Sequence, residues 1–202
     1  MLHILFGMLI NKEFICTMKS THPSLRYIII LTIAILFSNN SNLFAQSGND
    51  SIKIANDIPA ATKKAYYSID KHAIVASADT AGKNWDLAFL KTAVWVNSGV
   101  SGTGSTTALV LKNVKFDDIK QAPATGYQSD SATQKAIPQG SGNGWYAYDM
   151  NTHTITPVPG RVIILHTASG KYVKLEVLNY YKNGDGDPSH YTFRYAFIEP
   201  AK

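Results

Sequence analysis

The sequence predicts an all-β fold, a single domain of antiparallel strands and hairpins with long irregular loops. Three observations carry this. The C-terminal third holds three β-branched and aromatic runs, at residues 161–167, 172–179 and 191–198. Between them lie Ala168-Ser169-Gly170 and Asn183-Gly184-Asp185-Gly186-Asp187-Pro188, whose Asn-Gly and Asp-Gly steps belong to hairpin turns. Within the middle run Val173, Leu175 and Val177 face one way and Tyr172, Lys174 and Glu176 the other, the period-two pattern of a half-buried antiparallel strand.

The elements are read in chain order. Residues 1–45 have the layout of a secretory signal: Lys19 and Arg26, an apolar run over 27–37, then a polar stretch ending in Leu43-Phe44-Ala45-Gln46, with cleavage expected after Ala45. Met18-Lys19 reads as the true start. The apolar run is too short for a bilayer core of about 30 Å, so the chain is not expected to span a membrane. Residues 46–57 are polar and predict a flexible arm, and the β domain is expected over 58–202 with a short helical turn in 58–66. Strands are expected at 66–69 and 72–76 around an Asp70-Lys71 turn, then at 85–89, 91–97, 108–111 and 114–116. Residues 117–144 are rich in Gly, Pro, Ser, Gln and Ala, and an irregular segment of that length in a compact domain points to function. Trp145, Tyr146 and Tyr148 predict a strand, 149–152 a polar turn, and 154–157 the returning strand.

Composition removes several function classes. Without Lys12, Glu13, Lys19 and Arg26 the formal charge falls from +5 to +3, and no Lys/Arg run is interleaved with aromatics, so nucleic acid is not an expected partner. The single cysteine, Cys16, precedes the apolar run, so the exported domain is expected to hold together without disulfides and to offer no cysteine for a lipid. No H-x-x-x-H or H-E-x-x-H spacing supports a zinc hydrolase. The glycine loop over 97–104 lacks the Gly-Lys-Ser/Thr ending of a phosphate loop, and G-x-S-x-G is absent. Asp185-Gly186-Asp187 reads as turn chemistry before it reads as a calcium site. An enzyme is not expected.

The residue with the most specific chemistry is Met150, the one methionine after the signal segment, just beyond the Trp145–Tyr146–Tyr148 strand. A thioether there serves either as apolar filler or as a soft metal ligand. His153, three residues on, is a second donor or else a polar turn residue bonded to a backbone carbonyl. His166 shares a face with Val162 and Ile164 and reads as an ordinary sheet histidine, and His72 and His190 follow turn residues and are expected to be exposed.

The blocks Asn84-Trp85-Asp86-Leu87-Ala88-Phe89, the glycine loop, Trp145 to Met150, Gly170 to Val177 and Tyr191-Thr192-Phe193-Arg194-Tyr195, in that order and spacing, resemble the HmuY-like family of bacterial haem-binding proteins. The resemblance implies a haemophore: an exported β domain, periplasmic, outer-membrane-associated or secreted, that takes haem, free or from haem-carrying host proteins, and passes it to a TonB-dependent outer-membrane receptor. It implies that Met150 is an axial ligand to haem iron; His153, three residues on, is the alternative donor because a rotation of the loop could present either. The other ligand would come from residues 120–143, which contain no His, Met or Cys and offer Tyr127 and Lys135. Lys135, Lys120 and Arg161 are candidate partners for the propionates. The rival reading keeps the fold without haem and uses the Trp/Tyr surface near Met150 to bind a protein or glycan at the cell surface.

Overall fold

The computed structural model describes residues 51–201, with Ala78 described for its backbone alone. The expected signal, its start at Met18 and the first part of the arm lie outside the described residues. Within them the regular structure is mostly antiparallel strand, with only short 3-10 turns for helix. One sheet runs in the order β1 (Lys53–Pro59), β12 (Pro188–Pro200), β11 (Tyr172–Tyr181), β10 (Val162–His166) and β6 (Thr107–Leu111). A second runs β3 (Ala73–Ile74), β2 (Ala65–Ser68), β4 (Leu87–Leu90) and β5 (Ala93–Val96). β8 (Tyr146–Asp149) and β9 (Thr154–Pro157) form a hairpin, and β7 (Gln121–Ala122) adds a short parallel pairing to the end of β12.

Alternation along β11 and β12 builds the core. Val173, Leu175 and Val177 with Tyr191, Phe193 and Tyr195 face the second sheet, where Tyr67, Leu87, Phe89, Val94 and Val96 meet them. The two C-terminal hairpins pair antiparallel as the sequence predicts, Leu175 lying opposite both Ile163 and Tyr195. The far face differs from expectation. Residues 113–122 fold across it, and Phe116, Ile119 and Ala122 pack on Val162, Ile164, Ala196 and Ile198. The strand read as half-buried is thus covered on its far face too around Lys174, while Leu178 on that face stays exposed. Lys174 is 4% exposed, donates from Nζ to the Ile119 carbonyl at 2.8 Å and lies 4.6 Å from the centre of the Phe116 ring.

Three local expectations are corrected. Residues 53–57 are not a loose arm: they are part of β1, an edge strand on β12, with an irregularity between Ala55 and Ile58 where Asp57 takes φ 49°. That break in register hides the strand's alternation. The 58–66 helical turn is absent, because Ile58 and Pro59 complete β1 and a bend leads into β2. Residues 114–116 are no strand. Asn113 at φ 59° turns the chain, and Phe116–Asp118 is a single 3-10 turn that drops the Phe116 ring beneath Lys174 and Arg194. The glycine loop serves the fold itself. It wraps the buried Asn97 amide, which bonds Gly82 O, Trp85 O and Gly104 N, and a Cβ at Gly102 would collide with Asn97 Oδ1.

Two buried carboxylates hold the irregular segments to the sheets. Asp130 accepts Val96 N–H at 3.2 Å and Ala136 N–H at 2.8 Å, which fixes the middle of the long segment beside β5. Asp86 accepts Ile69 N–H at 2.8 Å and the Thr106 hydroxyl at 3.1 Å. Removing an acceptor from a buried donor costs about 1–3 kcal/mol each. Asp130→Ala is therefore expected to lower the unfolding free energy by roughly 2–4 kcal/mol in urea denaturation, and a loss under about 1 kcal/mol contradicts this role.

Burial raises the Asp86 carboxyl above its ordinary 3.8, and the bonds from Ile69 and Thr106 only partly offset it. The native state then binds more protons than the unfolded chain above that pH. Its contribution is full below 3.8 and is lost as pH rises through the native value. Asp86→Asn removes this slope, so the variant's urea midpoint is expected to gain on the wild type as pH increases from about 4. A pH-independent difference contradicts it.

Candidate functional site: a hairpin beside an aromatic cleft

The β8–β9 hairpin is fixed at its base and free at its tip. Trp145, 2% exposed, donates from Nε1 to Thr92 O at 3.0 Å and packs against Tyr191 and Tyr180 at ring separations of 5.0 and 5.5 Å. On the returning strand Ile155 N–H donates to the Tyr181 hydroxyl at 2.8 Å. The tip is the polar turn that the sequence predicts. Asp149 Oδ1 accepts Asn151 N–H at 2.7 Å and Thr152 N–H at 3.3 Å, and these bonds hold its carboxyl below the ordinary carboxylate value.

Met150 and His153 both sit in this turn. Met150 is 73% exposed, so it is no core filler. His153 has φ 54°, a left-handed conformation that Gly or Asn adopts more readily. Its Nδ1 lies 2.7 Å from the Tyr148 hydroxyl, a side-chain partner where a backbone carbonyl was the expected one.

A cleft of about 430 Å³ opens beside the hairpin. His153 and Ile155 line it from the hairpin, Tyr180 and Tyr181 from the end of β11, and Lys91 and Thr92 from the β4–β5 turn. That volume is typical of a small-molecule or cofactor site, as is a mainly apolar and aromatic lining with few polar groups. Lys91 is set by its backbone: its N–H donates to Ala60 O at 2.7 Å, and its carbonyl accepts the Tyr191 hydroxyl at 2.7 Å. Lys91 is exposed, so it brings a solvent-accessible cation to the cleft lining.

The other residues singled out in the sequence lie elsewhere. Tyr127 is on the opposite face of the large sheet, 5.7 Å from the Tyr172 ring and 6.3 Å from that of His166, so the fold does not bring it together with Met150 and His153. Its hydroxyl is buried without a hydrogen-bond partner, and burial pushes the phenol up to about 12. Lys135 Nζ reaches only Ser131 O at 3.5 Å, and Arg161 ties down Gly142 O at 2.9 Å. His166 stacks on Tyr172 at 4.5 Å. His72, although exposed, places Nδ1 2.7 Å from the Tyr195 hydroxyl. A polar cleft of about 340 Å³ includes Asp70 and Asp86, which are already engaged with Lys171 and with Ile69 and Thr106 respectively. Among the described residues no group of three or more His, Cys, Asp or Glu could hold a metal ion.

Sequence reasoning missed Lys91, Thr92, Tyr180 and Tyr181. They come from one turn and one strand end far apart in the chain, and the paired tyrosines closing β11 were the one available signal. Because the Tyr127 hydroxyl has no partner, Tyr127→Phe keeps the ring and removes a desolvated polar atom. The variant is expected to be more stable by about 1 kcal/mol in urea denaturation, whereas a comparable loss would show that the hydroxyl is used.

Comparison with known proteins gives the fold relatives and the family. No curated protein matches the chain. Among solved structures, a Bacteroides vulgatus protein described as HmuY-like and heme-binding superposes with a TM-score of 0.52 at 17% identity, covering 76% of this chain and 94% of that one. The apo HmuY analog of Tannerella forsythia gives 0.51 at 14% identity, over 74% and 95% of the two chains. Apo PinO, from a source given as Porphyromonas gingivitis, gives 0.51 at 16%, over 74% and 98%. At these identities the likeness is one of fold. The sequence profile of the HmuY protein matches residues 60–195, from the end of β1 almost to the end of β12, and the chain belongs to the HmuY family.

Proposed function

We propose that this protein binds haem in the cleft beside the β8–β9 hairpin, offers Met150, or His153 in its place, as iron donor, and acts as an exported carrier rather than an enzyme. The observation that carries the reading is the composition of the hairpin tip. Neither an exposed methionine nor a histidine in a left-handed turn serves packing, yet His153 lines an aromatic cleft and Met150 precedes it in the same turn. Thioether and imidazole are both axial ligands for haem iron. Ile155, Tyr180 and Tyr181 supply apolar surface for the macrocycle, and Lys91 supplies a cation for a propionate. Membership of the HmuY family and a neighbour described as heme-binding support the same ligand. Both donors leave one turn, so Met150 and His153 would serve as alternatives for the iron rather than as a pair, and hand-off to a TonB-dependent outer-membrane receptor would need only that this turn move away. Among the described residues no helix is long and apolar enough to cross a membrane.

The second reading, a haem-free domain that binds a protein or glycan, draws on the exposure of Tyr148 and Met150 at the same tip. Haemin titration separates the two. The wild type is expected to shift the Soret band with saturable stoichiometry. Met150→Ala/His153→Ala together should remove the coordination signature while the cleft keeps residual affinity. No saturable binding by the wild type hands the case to the surface-binding reading.

A further inference from the structure

We infer that Tyr148 is a positioning residue for His153: its hydroxyl takes the Nδ1 side of the imidazole and leaves Nε2 as the nitrogen presented to iron. This rests on the haem reading of the cleft and assigns its donor atom. Tyr148 is held from its own backbone, because its N–H donates to Ser141 Oγ at 2.8 Å and it pairs across the hairpin with Ile155, a cleft-lining residue. Ile155 is in turn bonded to the Tyr181 hydroxyl, so a connected frame runs from the cleft wall to the Tyr148 ring. The hydroxyl then meets Nδ1 at 2.7 Å, with the two rings 6.1 Å apart.

An imidazole that binds a metal through one nitrogen donates the N–H of the other to an oxygen, which fixes its tautomer and orientation. The Tyr148 oxygen is placed to accept that N–H. The Nε2 lone pair then forms the bond to iron, no covalent bond breaks, and the proton stays on Nδ1. The left-handed backbone at His153 agrees with this role. Asn or Gly would relieve the turn, whereas the contact with Tyr148 requires histidine in that conformation. Both side chains are exposed, so the contact adds little to folding and its geometry is free to serve the ligand.

The test uses Tyr148→Phe, which keeps the ring and deletes the hydroxyl. In the haem-free protein, imidazole 15N shifts of His153 are expected to report the Nδ1–H tautomer in the wild type and to lose that preference in the variant. In haemin titration the variant is expected to bind about 10–100-fold more weakly, the usual effect of removing a partner that orients a metal ligand. The same substitution made in a His153→Ala background is expected to have no further effect. Tautomer, affinity and spectrum all unchanged in Tyr148→Phe would overturn the positioning role alone, with haem binding intact. An equal loss in the His153→Ala background would overturn it too, because Tyr148 would then act without the imidazole. A wild type that binds no haemin would overturn both this inference and the haem reading.

Discussion

One row of aromatic side chains on β12 organises the molecule. Tyr191, Phe193 and Tyr195 recur at every second residue and so project from the same face of the strand. Phe89 lies 4.6 Å from Tyr191, and Tyr67 lies 5.1 Å from Phe193, which seats the second sheet on the first. Two of these rings also carry hydroxyls that reach across the core. Tyr195 donates to Ile69 O at one end of the second sheet, and Tyr191 donates to Lys91 O at the other. Burial raises both phenols well above their ordinary value, so they remain neutral donors. The row thus supplies apolar area and polar registration together, which a row of phenylalanines would not.

The cleft inherits its shape from this row. Its two walls are the β4–β5 turn, held through Lys91 O by Tyr191, and the β8–β9 hairpin, whose base rests on Tyr191 through Trp145. The walls are also bonded directly, Trp145 Nε1 to Thr92 O. Tyr191 is therefore a shared footing for elements more than fifty residues apart in sequence, and the spacing between walls follows from one buried side chain.

Legibility in the sequence tracked how local the signal was. β10 could be read as a continuous β-branched run, and β11 and β12 because they alternate over most of their length and are bounded by Gly-rich turns. β1 could not, since its irregularity around Asp57 interrupts the alternation and its exposed residues mix Ile54 and Pro59 with Asn56. The covering segment around Phe116 looked like a strand because a short apolar run carries no sign of whether it pairs or caps. At the site, Met150 and His153 were legible as out-of-place chemistry in a polar turn. Tyr127 was not legible as a core residue, because its position behind the large sheet depends on how residues 113–128 fold back. Lys91 and the Tyr180-Tyr181 pair acquire meaning only once distant turns converge.

The division of the hairpin into a rigid base and an unburdened tip bears on how such a protein changes over generations. Trp145 and Ile155 carry the packing and bonding of this element, whereas residues 150–153 touch little of the core. Substitutions in that tetrapeptide are therefore nearly neutral for folding, so selection can act on them through ligand chemistry alone. Donor identity can drift, be lost or be regained there while the sheets stay under separate constraint. The tip is the part of this sequence in which the fold leaves the most room for descent with altered specificity.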